Sequence, residues 1–317
     1  MARLNGGRAN LESVKNVMLK QRNIELLKDY ALIAPALLIL VALVIYPILS
    51  GIYLSFFDYN LLRETQPYVG IDNYIVLLSD PRFLKILWNT VLFAVLANAF
   101  STLLGLASAL LLNSSGRFVG LLRALGYLPW ITPAVVFVVI WSWMFSGSFS
   151  PINAVLMQWG IIKSPISFLG DEKMIFLGLS LPVWSMLVVR IWASYAFKMT
   201  MFLAALQNIP QDRIDAARVD GANSWHVFRY VTMPGIMPVL LVVVSLSMIW
   251  NLSHFEVNYL LTAGGPKDLT NVITVYLYQL AFVQWKFGHA AAAGIYTLLL
   301  ASVAAIVYLR LTRSEER

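Results

Sequence analysis

Residues 32–57, LIAPALLILVALVIYPILSGIYLSFF, run for 26 positions without a charged side chain. That exceeds the roughly 20 apolar residues that carry a helix across a bilayer. The run follows a polar lead of about thirty residues and is too long for the core of a signal peptide, so cleavage is not expected. Similar segments recur, and six meet the length requirement: about 31–56, 88–112, 120–145, 174–196, 236–256 and 289–310. The composition agrees, with 59% hydrophobic and 12% charged residues. A soluble domain holds about 45–50% apolar and about 25% charged residues. One water-facing core cannot cover so much apolar surface. The expected fold is therefore all-α and polytopic: six transmembrane helices within residues 30–310, a polar tail at 1–29 and a short one at 311–317. Pro35 and Pro47 would break a helix in water, but neighbouring helices in a bundle can satisfy the freed carbonyls.

Lysines and arginines set the orientation. With the N-terminus inside, 16 fall on the inner side and seven on the outer. The inner set includes Arg190, Lys198, Arg213, Arg218 and Arg229 of the 190–229 region, from the end of the fourth span to the start of the fifth. Both termini are thus expected in the cytoplasm. Net charge is +7, yet the cations sit at the ends of apolar runs instead of clustering among aromatics, so nucleic acid is not an expected partner. Small residues recur every four positions at Ala97, Ser101, Gly105 and Ala109, and again in HAAAAG at 289–294. Such stripes let helix backbones approach in lipid.

Catalytic constellations are missing. The sequence has no G-x-x-x-x-G-K-[ST] phosphate loop and no G-x-S-x-G elbow. His226, His254 and His289 lie in separate segments without metal-ligand spacing, and the chain has no cysteine. Asp171 and Glu172 read as charges at a helix start. The chain is expected to be no enzyme, with no cofactor or metal of its own.

One polar island interrupts the apolar chain: NIPQDRIDAARVDGANSWHVFRYVTMPGIMP, residues 208–238. Pro210 suits a first helical turn, and Asp212 and Asp215 lie toward the positive end of the helix that follows. Asp220-Gly221 is a stop-and-turn pair, and Asn223 or Ser224 can cap a second helix. Pro234 and Pro238 mark entry into the fifth span. Two helices this short are unstable alone, so the pair needs a partner surface or serves only as an interfacial connection.

This segment resembles the EAA loop of ABC importer permeases, with Ala216, Ala217, Asp220, Gly221, Ala222 and Pro234 at the expected places. FLAALQNIP (202–210), NYLLTAGGP (258–266) and YQLAFVQWKFGHAAA resemble the carbohydrate branch, the maltose MalF-type permeases. The resemblance covers roughly residues 30–310 and is densest over 197–294. It departs at Asp215, where the family usually has Glu, at Glu256, where Asp is common, and at His289, which replaces a frequent aromatic. It implies a type I importer core in the cell inner membrane that pairs with a second, homologous permease. Two ATPase subunits would bind ATP and magnesium, and an extracytoplasmic solute-binding protein would deliver a carbohydrate. Within the coupling loop, 208–235, Asp215 would hold register with the ATPase, Ala216 and Ala217 would give close contact, Gly221 would make the corner, and Arg218 belongs to the same ATPase-coupling set.

Polar residues inside spans are functional candidates because they are costly there. Ser247, Trp250, Asn251 and His254 share one helical face, and the resemblance places sugar contacts at these positions. Arg190, Ser194 and Phe197 form a second face in the fourth span. Arg190 either snorkels to the interface or faces a cavity, where it would pair with an anionic sugar. TAGGPKD (262–268) is either a contact for the binding protein or a simple turn. The alternatives are an importer for a polyamine or amino acid, which shares the cytoplasmic signature, and an ion-coupled transporter, which would need paired acids inside the spans.

Overall fold

The computed structural model describes residues 30–114 and 116–315, with side chains to residue 310; the expected tail at 1–29 lies outside the described residues. The chain divides into two compact units at Leu54/Ser55. The described part of the first is one helix, α1 (Tyr30–Leu54), with no buried residue. It widens into a π turn at Val41–Ile45, where Tyr46 N–H donates to the Val41 carbonyl. Pro47 follows. A proline removes one donor and crowds the carbonyl four residues back, and the wider turn accommodates both.

The second unit holds α2 (Asp72–Ser79), α3 (Pro81–Leu112), α4 (Val119–Ile131), α5 (Ala134–Met144) and α6 (Pro151–Gln158). A small hairpin, β1 (Met174–Phe176) with β2 (Leu179–Ser180), leads into α7 (Leu181–Gln207). Then come α8 (Gln211–Val219), α9 (Ser224–Val227), α10 (Met233–Leu252), α11 (Glu256–Thr262), α12 (Ile273–Tyr278) and α13 (Phe287–Glu315). Among the described residues five helices are long and apolar enough to span a membrane, six when the bent pair α4–α5 is counted as one span.

α3 is capped by the Asp80 side chain, which accepts from Arg82 N–H at 2.9 Å, and Pro81 fills the first turn. Its stripe of Ala97, Ser101, Gly105 and Ala109 is buried. A Cβ at Gly105 would lie 2.8 Å from Lys198 Cβ and 3.1 Å from the Met199 backbone nitrogen. The two backbones approach closely there because the stripe is small. The second stripe is likewise buried, at Ala290, Ala292 and Ala293, against Leu77, Ile86, Tyr276 and Leu280. A separate apolar block joins Ala109, Met199, Phe202, Leu206, Ile236 and Val243, tying α3, α7 and α10 together.

Several boundaries differ from those expected: the second span already starts at Pro81 and the last runs on to Glu315, and three inner spans change further. The third span is not one helix: α4 and α5 meet at 96°. Pro133 cannot donate, and the residue before a proline is pushed out of the helical region, as Thr132 is (φ −70°, ψ 125°). The fourth span does not start at 174. Residues 174–180 form the hairpin, turning through Leu177 and Gly178 at φ 53° and 68°, a two-residue turn that favours positive φ at both centres. α7 therefore runs to Gln207 and takes Lys198 into its interior, not into a connecting segment. The fifth span begins earlier than expected. α9, a π turn at Phe228–Thr232 and α10 form one continuous helix from Ser224 to Leu252. Met233 N–H donates to the Phe228 carbonyl, and Pro234 follows, the same arrangement as before Pro47. Asp171 and Glu172 start no helix. Asp171 accepts from Lys173 N–H, and Glu172 pairs with Lys267 at 2.8 Å.

Candidate functional site

A cavity of about 320 Å³ opens between α4, α7 and the C-terminal end of α10, lined by Trp130, Arg190, Ala193, Ser194, Trp250, Ser253 and His254. Phe197, one turn along α7 from Ser194, stacks on Trp130 with centroids 5.0 Å apart and meets Trp250 at 5.3 Å. Trp130 and Trp250 are 6.2 Å apart. Each is 42% exposed, so the aromatic trio leaves part of its face open. Two bends bring these residues together. The break at Thr132–Pro133 ends α4 with Trp130 at its last turn, and the end of α10 at Leu252 frees Ser253 and His254 from helical register.

The hydroxyls of the cavity have already donated their protons. Ser194 Oγ donates to the Arg190 carbonyl at 2.7 Å, and Ser253 Oγ to that of Ile249 at 3.0 Å. Their lone pairs remain to accept. His254 Nδ1 lies 2.8 Å from Glu256 Oε2. With Nδ1–H on the carboxylate, a neutral ring presents Nε2 as an acceptor. The Arg190 guanidinium is the opposite case: among the described residues it has no hydrogen bond or ion pair. The cavity thus offers one unpaired cation, several acceptors and an aromatic wall.

Of the residues expected here, Arg190, Ser194, Trp250 and His254 line the cavity and Phe197 backs it. Ser247 and Asn251 are not among its lining. Ser247 is buried and donates to the Val243 carbonyl at 2.6 Å; Asn251 is also buried, its Oδ1 without a partner. His254 shares no helical face with them, because α10 ends two residues earlier. Trp130 was missed; its signal is a tryptophan just before a Thr-Pro break in an apolar run.

The second region is the helix pair α8–α9. Its corner is a Schellman arrangement: Ala222 N–H donates to the Ala217 carbonyl at 2.9 Å and Gly221 N–H to that of Arg218 at 3.0 Å. Gly221 sits at φ 87°, which only glycine takes without strain. Of the two caps considered, Asn223 serves, its side chain accepting from His226 N–H at 2.9 Å. Pro210 sits at the cap position and not inside the first turn. Asp215 Oδ1 takes Gln211 Nε2 at 3.1 Å and lies 3.5 Å from Arg218 Nη1, on the exposed surface of α8. No residue of α8 is buried. Ala216, Asp220 and Pro234 face solvent, Ala217 and Ala222 are partly covered, and Val219 and Trp225 are 87% and 66% exposed. Ile209 anchors the pair against Gly235, where an added Cβ would meet its side chain at 3.1 Å.

The TAGGPKD turn is fastened to α3. Arg82 grips Asp268 through two bonds of 2.7 and 2.9 Å, Lys85 Nζ donates to the Lys267 carbonyl, and Asn89 donates to the carbonyls of Asp268, Leu269 and Asn271. The Arg82 hydrogen bond holds the Asp268 carboxyl below its ordinary range, with Asn271 adding to the effect.

Comparison with known proteins places this architecture. The inner membrane ABC transporter permease protein YcjO of Escherichia coli is 36% identical over 85% of this chain and 88% of its own length. The trehalose/maltose transport system permease protein MalF of Thermococcus litoralis is 32% identical over 93% of this chain and 96% of its own. A crystal structure of a bacterial alginate ABC transporter, in complex with an alginate pentasaccharide-bound periplasmic protein, contains a chain that superposes with a TM-score of 0.77. It covers 90% of this chain and 93% of that one at 22% identity, a likeness of fold. Residues 101–317 match the model of the binding-protein-dependent transport system inner membrane component. The chain belongs to that family: it is an ABC transporter permease with a type I permease fold, a transport component and not an enzyme.

Proposed function

We propose that this permease imports a carbohydrate bearing an anionic group, by ATP-driven alternating access. The observation that carries the reading is the cavity, where an unpaired arginine faces a wall of two tryptophans. An aromatic wall suits the apolar face of a pyranose ring. Hydroxyl oxygens and a histidine nitrogen that can only accept suit a rim of donating sugar hydroxyls. Arg190 supplies the complement of a carboxylate, sulfonate or phosphate. A cationic solute such as a polyamine would meet the arginine unfavourably, which argues against that alternative. The trehalose/maltose permease, related along almost its whole length, supports the carbohydrate class.

A second permease of the same kind completes the passage, two ATPase subunits bind ATP and magnesium, and an extracytoplasmic binding protein delivers the solute. Both termini and the α8–α9 pair face the cytoplasm, in keeping with the excess of cations on that side. Closure of the ATPases on ATP moves the pair and rocks the helices around the cavity as rigid bodies. Asp215, Ala216, Ala217, Arg218 and the Asp220–Ala222 corner form the contact, and Pro234 sets where the following helix leaves it. The test is uptake into proteoliposomes carrying the complete transporter. Arg190→Ala should reduce uptake of a charged sugar at least tenfold while sparing its neutral parent. Normal uptake of the charged sugar by that variant would overturn the reading.

A further inference from the structure

Lys198 lies on α7 eight residues beyond Arg190, about 12 Å along the helix, and is fully buried. Its ammonium meets four oxygens of α3: the Asn98 carbonyl at 2.9 Å, Asn98 Oδ1 at 2.6 Å, Ser101 Oγ at 2.8 Å and Thr102 Oγ1 at 2.8 Å. None belongs to an acid. Each side chain has also committed its own donor elsewhere. Ser101 Oγ donates to the Ala97 carbonyl at 2.5 Å, Thr102 Oγ1 to that of Asn98 at 2.7 Å and Asn98 Nδ2 to that of Val244 at 3.0 Å. The cage therefore presents lone pairs alone, the complement of an ammonium's three N–H groups. Three spans meet at this one nitrogen and its ligands.

A cation inside a span, with no acid beside it, is costly. Packing does not require it, since Ala97, Gly105 and Ala109 already let α3 and α7 close together. Buried charges kept at such cost point to use. Among the described residues no acid pairs with Arg190 or Lys198. Glu256, whose charge reaches Arg190, is engaged with His254. Resting on the reading of the cavity as a site for an anionic carbohydrate, we infer that Lys198 is a specificity-determining residue. With Arg190 it gives α7 two positive charges, neither in direct contact with a carboxylate, that favour anionic solutes over neutral ones and repel cations. Lys198 touches no solute in this arrangement; it acts through its field.

The complete transporter in proteoliposomes tests this, with uptake measured for a uronic-acid oligosaccharide and its neutral parent. Selection by the binding protein is common to every variant, so the change in the uptake ratio isolates the permease. Lys198→Met removes the charge and keeps the volume. Asn98→Asp leaves the lysine in place and cancels its charge, which covers the case in which Lys198→Met fails to assemble. Each should lower the ratio of charged to neutral uptake about tenfold, the factor expected of one unit charge acting over about 12 Å at an effective dielectric of about 20. An unchanged ratio in either assembled variant overturns the inference. If Arg190→Ala abolishes the preference while Lys198→Met and Asn98→Asp keep it, the cavity reading stands and the role of Lys198 falls. A wild type without preference overturns both.

Discussion

The α8–α9 pair and the cavity are built on opposite plans. The pair is a single stretch, residues 211–227, whose corner, cap and acid are set by neighbours at most five positions apart. The cavity gathers side chains from residue 130 to residue 254, and its shape depends on where helices stop. One region is exposed and apolar surface waits on it, at Val219 and Trp225; the other is a cleft whose serine hydroxyls are bonded to the backbone of their own chain segments. The contrast separates their failures. Damage to the pair should break the link between hydrolysis and transport, while damage to the cavity should change what is transported.

The largest effect should come at the corner. Gly221→Pro removes the N–H bonded to Arg218 and demands a φ near −65°, against the 87° observed. Uptake by the assembled transporter should fall at least tenfold while ATP hydrolysis continues; parallel assays of the two would show them separating. Equal loss of both would mean that the corner serves folding alone. Next comes Trp130→Ala, which removes one face of the aromatic wall. The half-saturating substrate concentration should rise about two- to twelvefold, the worth of about 0.5–1.5 kcal/mol for an aromatic contact, with the coupling ratio unchanged. A shift in that ratio would blur the division between the two regions. The smallest change is Asp215→Glu. Its carboxylate stands on the surface of α8, so one added methylene should alter both activities less than about twofold, the scale of an exposed charge contact. A large loss in either assay would show that the shorter acid is matched to its partner.

Legibility in the sequence followed the same division. The Schellman corner and the asparagine cap are local, and Asp-Gly and Asn-Ser spell them out in consecutive letters. The cavity face on α7 was readable from helical offsets, since Arg190, Ser194 and Phe197 belong to one unbroken helix. The face on α10 was not. Ser247, Trp250, Asn251 and His254 share a periodicity that ends at Leu252, and Ser247 spends its hydroxyl on its own backbone. Lys198 illustrates a second cause of error. A lysine at the end of an apolar run reads as a boundary marker, because hydropathy cannot see the oxygens of another span that will hold it. Trp130 needed the bend at Pro133, which the sequence announces, and the approach of α7 and α10, which it does not.

The uninterrupted helix from Ser224 to Leu252 carries one more consequence. Its 29 residues measure about 43 Å, and neither Pro234 nor Pro238 breaks it. It is a lever with Trp225 near one end and Trp250 near the other. A tilt of about 10° pivoting on the first would sweep the second through roughly 7 Å, on the scale of a sugar ring, given that length. The helix is unbroken between them, widened at the π turn of Phe228–Thr232, so the wall of the cavity would register a push on α9 as displacement.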